Sequence, residues 1–444
     1  MGCKSNQFEG QIVAQKLIES GFSQVKDLKN AYYYILNSCS VTQTSDNEAM
    51  YLLRHAHSLG LKTILTGCIA QIEKEKLLEE PFIDYVYGNE DKFRLANLIL
   101  QDEVFSVKDL MQSTDFCKVT LNDTTKTRIS LKIQDGCDNR CSYCIIPYGR
   151  GKSRSADSDF IINEINRYSD LGYKEVILTG IHIGLWGDKN ILPLLKEIET
   201  KTSIPRYRLG SLNPHEITPE LLTFLQNSEK FCPHFHLSLQ SACNRTLKRM
   251  NRHYTVEYYL DQIEDIVSRF DKPFLGSDII AGFVGETDED FQTTVENLNK
   301  SKLSQIHTFP YSIRKGTIAE KMEGHLPDKI KEERAGIIKK ISAEKINTFL
   351  KSNIGSEQEV LIEKRPAKNG KFKGVTRNYI TVQLEDGSYI VEFCGYFPTN
   401  VPQYSIIVSI HKERLPASGG LMAGDVFRQI TEYISTYNKY FNSK

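Results

Sequence analysis

The chain has 444 residues, more than one small core uses and enough for two or three domains of the usual ~100–200 residues. It is 40% hydrophobic and 25% charged, with Lys+Arg and Asp+Glu both 56, so wholesale disorder, a fibrous repeat and a global field pulling the molecule onto polyanions are all excluded. No apolar run reaches the ~18 residues that span a bilayer and the opening MGCKSNQFEG has no signal-peptide core, so a cytoplasmic protein with no membrane partner is expected.

Residues 1–110 alternate between helix and strand. FEGQIVAQKLIES has helical apolar spacing and stops at Gly21, and AYYYILNSC is a compact run typical of a buried strand. DNEAMYLLRHAHSLG then reads as helix and KTILTGC as strand, which makes a βαβ unit and hence a parallel sheet. Cys39 and Cys68 both fall just past strand carboxyl ends, on the side where open α/β sheets bind ligands.

From about 126 to 312 the alternation is long and regular, with strands expected at RISLKIQDG, EVILTG, RYRLGSL, PHFHLSLQ, FLGSDIIAGF and SQIHTFPYS. Such βα repeats suit a whole or partial β/α barrel worked from its carboxyl-terminal rim, with an open doubly wound sheet as the alternative. Residues 327–351 read as one amphipathic helix with Ile337, Ile341, Ile346 and Phe349 among its apolar positions. After Gly355, short β-like segments punctuated by Asn-Gly and Asp-Gly indicate a small antiparallel barrel or sandwich. Lys364, Arg365, Lys368, Lys371, Lys373 and Arg377 are basic with no acidic residue among them, and Phe372 lies between. That pattern is either a solvated hairpin or a single-stranded nucleic-acid surface, in which charge tracks phosphates and rings stack on bases.

Ten cysteines in a chain without an export signal are metal ligands, reactive thiols or core residues rather than disulfides, because a reducing cytoplasm keeps thiols free. Cys137, Cys141 and Cys144 crowd into one octapeptide. Three thiolates there can hold three irons of a cubane cluster and leave the fourth open, whereas structural zinc sites fill all four positions. Cys117, Cys232, Cys243 and Cys394 stand alone and read as small apolar residues. His182 and His236 read as structural histidines.

The octapeptide CDNRCSYC resembles the CxxxCxxC motif of the radical S-adenosylmethionine (SAM) superfamily, and it follows the first strand of the βα series. The resemblance implies that Cys137, Cys141 and Cys144 are catalytic, binding a 4Fe–4S cluster whose open iron takes SAM. It also implies that Tyr143, Gly180, Ser211, Ser238, Gln240 and Asp278, at successive strand ends, form the SAM and substrate rim. GCKSNQFEGQ, NSCSVTQTSD and LTGCIAQ look like the amino-terminal cluster motifs of the methylthiotransferases, and CSYCIIPYGRGKSRS, TGIHIGLWG, HLSLQSACNRTLKRMNRHYT, GFVGETDEDF and FPYSIRKGTIA look like their central motifs. The chain departs from the family at Val284, where Pro is usual, and at Trp186, where Tyr is usual.

That second resemblance implies a domain over residues 1–110 holding an auxiliary 4Fe–4S cluster on Cys3, Cys39 and Cys68, and a radical SAM domain over 123–352. A TRAM-like RNA-binding domain would follow over 355–415, binding through Lys364, Arg365, Lys368, Lys371, Lys373 and Arg377. The tail over 416–444 resembles nothing known and ends in an amphipathic pattern. GCKSNQFE and NSCSVTQTSD are most similar to the branch that adds a methylthio group to carbon 2 of N6-threonylcarbamoyladenosine at tRNA position 37. Isopentenyladenosine in tRNA, or a ribosomal-protein aspartate, is the alternative substrate. A non-catalytic Fe–S or tRNA-binding protein is the reading from a different class. The implied partners are a tRNA anticodon stem-loop and an electron donor of flavodoxin or ferredoxin type.

Overall fold

The first helix, α1 (Lys4–Glu19), puts Phe8, Ile12, Val13 and Leu17 on one buried stripe and ends just before Gly21. The strands and helices that follow are β1 (Tyr33–Ser38), α2 (Gln43–Ser58), β2 (Lys62–Gly67), α3 (Cys68–Glu73), β3 (Tyr85–Tyr87), α4 (Leu95–Leu100) and β4 (Phe105–Ser106). The four strands pair in parallel in the order β1-β2-β3-β4, as the βαβ reading requires. The register sets Ser38 opposite Gly67, so the chain leaves β1 at Cys39 and β2 at Cys68 side by side. The computed structural model describes residues 2–122, 126–367, 370–383, 389–397, 404–412, 426–430 and 432.

The central array runs β5 (Arg128–Lys132), β6 (Gln134–Asp135), α5 (Ile146–Arg150), β7 (Arg154–Ser155), α6 (Ser158–Asp170), β8 (Glu175–Thr179), α7 (Leu192–Lys201), β9 (Arg206–Leu209) and β10 (Ser211–Leu212). It continues through α8 (Pro219–Asn227), β11 (His234–Leu237), α9 (Asn244–Arg249), α10 (Val256–Arg269), β12 (Phe274–Ala281), α11 (Asp288–Lys300), β13 (Gln305–Pro310) and α12 (Asp328–Ser352). Strands β5-β8-β9 form one parallel sheet and β10-β11-β12-β13 another, with a parallel bridge between Tyr207 and Phe231 joining the two series. The strands follow one another in sequence order, whereas a doubly wound sheet reverses order at a switch point. That rules out the doubly wound alternative. Among the described residues β5 and β13 are edges, so the array is an open β/α series.

One continuous core fills it: Ile129, Leu131, Val176, Leu178, Tyr207, Leu209, Phe235, Leu237, Leu275 and Ile279 from the strands, with Ile161, Ile165 and Tyr168 from α6. Val284 lies fully buried in a smaller cluster with Met250, Phe283, Tyr311 and Ala319, against which Tyr143 packs. Helix α12 buries Ile341 and Phe349 of the expected apolar positions and departs from the expectation at Ile337. Its buried stripe is Ala335, Ile338, Ile341 and Phe349, while Ile337 faces solvent at 43% exposure. Ile337 is turned outward because Ile338, one residue on, occupies the packed face and Ser342 on that face accepts a bond from the Ile306 amide of β13 at 2.9 Å.

Residues Met1–Gln358 with Arg377–Ile380 make one compact unit, and Glu359–Thr376 with Thr381–Lys444 make a second. Within the second, β14 (Val360–Ile362), β15 (Lys373–Thr376) and β16 (Thr381–Gln383) pair antiparallel, as do β17 (Tyr389–Phe397) and β18 (Tyr404–Lys412). FKGVTRNYITVQLE is therefore two strands rather than one, interrupted where Tyr379 takes a positive φ of 72°. Most of the tail, Lys368 and the side chain of Cys394 lie outside the described residues. Cys232 and Cys243 are buried as expected, but Cys117 is exposed. No helix among the described residues is long and apolar enough to cross a membrane.

Candidate active site

Cys3, Cys39 and Cys68 come from three separate segments, and a small set of buried polar side chains holds those segments in register. Asn6, in the first turn of α1, donates to the Ser38 carbonyl at 2.9 Å, and Asn37 donates back to the Asn6 carbonyl at 2.9 Å. The Ser38 hydroxyl donates to the Thr66 carbonyl at 2.6 Å and accepts from the Ile69 amide at 3.0 Å. Gly67 turns the chain from β2 into α3 with φ of 93°, and a Cβ there would collide with the Ser38 carbonyl. Only glycine lets Cys68 start its helix that close to Cys39.

The result is a set of thiols that feel one another. The Cys3 and Cys39 sulfurs share a hydrogen bond, which with the nearby Arg150 guanidinium brings the Cys3 thiol down to about 6 and, with burial and Cys68, pushes Cys39 far up. Asn89 Nδ2 lies 3.8 Å from the Cys68 sulfur and donates to the Gly149 carbonyl at 2.6 Å.

The loop carrying Cys137, Cys141 and Cys144 follows β5 and β6. Gly136 has φ of 71°, and a Cβ would run into the Lys152 carbonyl, so the loop can fold back to let the Cys137 amide reach Gly151 O at 3.1 Å. Its far side is pinned by Ser142, whose amide and hydroxyl donate to the Met250 and Arg249 carbonyls at 3.0 and 2.8 Å. Burial, ahead of any other cause, raises the Cys144 thiol to about 12. Arg252 Nη1 donates to the Cys141 sulfur at 3.3 Å and its Nη2 to Asn213 Oδ1 at 2.6 Å. Asn213 donates to Glu216 at 2.9 Å, Glu216 pairs with His182 Nε2, and His182 Nδ1 sits 3.7 Å from the Cys137 sulfur. A ring of hydrogen bonds therefore joins two of the three thiols.

These cysteines border a cavity of about 280 Å³ at the carboxyl ends of the strands. Tyr143, Ser238, Gln240 and Asp278 share its wall, while Gly180 packs on Ile183 and Gln134 beside it and Ser211 reaches it only through His236, which bonds Ser211 Oγ at 2.9 Å and Asp278 at 3.3 Å. Gln240 holds a φ of 71° because its amide and carbonyl bridge to Asp278 and Ile280. Val41, Thr42 and Arg314 also line it, so the loop just past Cys39 faces the same space. Three soft donors, with no fourth cysteine on that wall among the described residues, fit a 4Fe–4S cluster with one open iron. The basic residues fall elsewhere. Lys364 and Arg365 are exposed in the β14–β15 connection, Lys371 is half-buried there, Lys373 is exposed on β15, and Arg377 Nη2 donates to the Phe231 carbonyl at 2.9 Å.

The radical SAM superfamily profile matches residues 131–298, and that of the uncharacterized protein family UPF0004 matches residues 1–88. The threonylcarbamoyladenosine tRNA methylthiotransferase MtaB of Bacillus subtilis (strain 168) is 33% identical over 398 residues, 86% of this chain and 88% of that protein. MtaB of Aquifex aeolicus (strain VF5) is 35% identical over 401 residues, 87% and 95% of the two chains. This chain belongs to the radical SAM methylthiotransferase family.

The family includes another relative, the tRNA-2-methylthio-N(6)-dimethylallyladenosine synthase of Thermodesulfovibrio yellowstonii (strain ATCC 51303 / DSM 11347 / YP87), at 32% identity over 86% of this chain and 91% of that one. The fold is shared with the radical S-adenosylmethionine methyltransferase TsrM from Kitasatospora setae, solved with cobalamin and a [4Fe-4S] cluster, at a TM-score of 0.52 and 14% identity over 68% of this chain and 71% of that chain. In this methylthiotransferase Arg252, Asn213, Asn89 and Arg314 carry no signal of their own in the sequence. Arg252 sits inside the recognisable block MNRHYT, but only the fold brings it to a cysteine 111 positions earlier.

Proposed function

We propose that this methylthiotransferase adds a methylthio group to carbon 2 of N6-threonylcarbamoyladenosine at position 37 of tRNA, using two 4Fe–4S clusters and SAM. The observation that carries the reading is a cavity lined both by Cys137, Cys141 and Cys144 and by Val41 and Thr42, which come shortly after Cys39 in the chain. A substrate base in that space lies within reach of both a radical source and a sulfur source. The likeness to MtaB proteins over most of the chain supports the choice of modified adenosine.

Cys137, Cys141 and Cys144 would hold the first cluster, which when reduced supplies the electron that cleaves SAM to a deoxyadenosyl radical. Cys3, Cys39 and Cys68 would hold the second. Arg252 and His182 orient two of the ligating sulfurs, and Arg252 adds a positive charge beside an anionic site. Ser238, Gln240 and Asp278 furnish a hydroxyl, an amide and a carboxylate along the cavity wall for the polar groups of SAM, with Ser211 and Gly180 behind them. Tyr143, edge-on to Phe283 at 6.2 Å, closes the apolar side.

In this reading residues 1–110 form the sulfur-donating domain, 123–352 the radical SAM domain and 355–415 a TRAM-like barrel that holds the anticodon stem-loop through its basic residues. The protein works in the cytoplasm with a flavodoxin or ferredoxin type donor. The test is anaerobic reconstitution with SAM, a reductant and tRNA lacking the modification, followed by nucleoside mass spectrometry. The methylthio derivative of threonylcarbamoyladenosine is the expected product; deoxyadenosine without it would overturn the substrate and leave the radical chemistry standing.

A further inference from the structure

Arg314 lines the cavity from the loop after β13 and is only 7% exposed. Its Nη2 donates to Ser40 Oγ at 2.6 Å and to Asp46, both from the segment that follows Cys39. Its Nε and Nη1 have no hydrogen-bond partner. A guanidinium has no neutral form to retreat to near neutral pH, and a buried N–H without an acceptor is unfavourable. Asp46 also leaves Oδ1 unpaired, so its carboxylate is aimed at only part of the guanidinium. The guanidinium is thus only half engaged by the protein, and its unpaired Nε and Nη1 lie buried in the wall of the cavity. What completes it must be an acceptor small enough for the cavity, and beside an arginine an oxyanion is favoured over a neutral oxygen.

Resting on the substrate reading above, we propose that Arg314 receives an oxyanion of the RNA substrate inside the cavity, and so fixes the adenine between the two cysteine sets. Two groups of the substrate have that chemistry: the carboxylate of the threonylcarbamoyl arm and a backbone phosphate flanking position 37. The dimethylallyl arm handled by the second class of relatives has no carboxylate, so in the first case Arg314 also reads the modification.

The test uses the reconstituted full chain and three labelled anticodon stem-loops carrying, at position 37, threonylcarbamoyladenosine, its methyl ester, or adenosine, with dissociation constants read by fluorescence anisotropy. Because Arg314→Gln alone strands the Asp46 carboxylate, it is paired with the double variant Asp46→Asn, Arg314→Gln, which removes both charges together. Wild type is expected to bind the free acid about ten- to a hundredfold tighter than the ester, the worth of a hydrogen bond to a charged group, and both variants to lose that preference. Equal weakening towards all three RNAs instead supports the oxyanion site with a phosphate as its occupant. Asp46→Asn alone, which removes a competing anion and keeps Arg314, should bind the free acid at least as well as wild type. Variants that melt like wild type, carry its iron content and bind all three RNAs as it does would overturn the proposal. If wild type binds but makes no methylthio product from the first stem-loop, the function reading fails, independently of the Arg314 result.

Discussion

At the scale of single residues the positions of Cys3, Cys39 and Cys68 depend on neighbours that carry no thiol. Gly67→Ala forces a Cβ against the Ser38 carbonyl at a positive φ, so β2 and α3 must shift apart and Cys68 moves away from Cys39. Its expected result is a protein that keeps the first cluster and SAM cleavage but loses iron to the level of one cluster and makes no methylthio product. Cys3→Ala and Cys68→Ala should behave the same way, and retained methylthio product from either would sink the assignment of the second cluster. Arg252→Gln removes both a donor to the Cys141 sulfur and a positive charge beside it. Each loss destabilises the reduced, more negative cluster, so the potential of the first cluster should move to more negative values in an EPR-monitored redox titration. The grouping of Cys137, Cys141 and Cys144 was readable from spacing because one loop places them together whatever the rest of the chain does. Arg252, Asn89 and Arg314 were not readable, since their partners lie 111, 60 and 268 positions away and meet them only in the folded sheets.

At the scale of elements, α1 and β5 share the apolar core, and charge joins both of them to α5. Glu9 of α1 takes Lys92 at 2.6 Å, Lys132 of β5 at 2.5 Å and both Nη atoms of Arg150 of α5 at 2.6 and 2.9 Å, all fully buried. Burial alone would raise the Glu9 carboxyl, but Arg150, Lys132 and Lys92 outweigh it and hold it well below its usual value. This node ties the helix that starts at Cys3 to the helix that ends the radical cysteine loop. Glu9→Gln leaves three buried cations short of their common anion and is expected to cost about 3–5 kcal/mol, read as a lower urea midpoint. A carboxyl with a depressed folded pKa contributes stability that is complete above its unfolded pKa and disappears as pH falls through the folded one. The gap between wild type and variant should therefore be constant at neutral pH and narrow only below about pH 4.5. Nothing in a helical pattern announces such a node, because Glu9 reads as an ordinary exposed position until β5 and α5 close over it. The strand series was legible for the opposite reason: runs such as EVILTG are apolar on both faces, which only a covered parallel strand requires. Ile337 misled because two isoleucines stand side by side in the helix, and period alone does not choose between Ile337 and Ile338.

For the whole molecule, a net charge of zero means that no long-range field delivers tRNA, and attraction must come from a local patch. Of the basic residues between 364 and 377, Arg377 is committed to the carbonyls of Glu229 and Phe231 at the amino ends of the central strands, so changing it would disturb the fold as well as any hold on RNA. Lys364, Arg365, Lys371 and Lys373 belong instead to the β14–β15 hairpin. Replacing these four by Ala should weaken tRNA binding by a similar factor whether or not position 37 is modified, because a cation on a phosphate reads no base. The slope of log K against log salt should fall by about 0.7–0.9 for each phosphate that no longer has a cation against it. SAM cleavage in the absence of RNA should be unchanged. An unaltered slope would mean that the stem-loop is held by another surface, and it would separate two roles that a single affinity confuses: holding the RNA backbone, and seating one modified base between the cysteines.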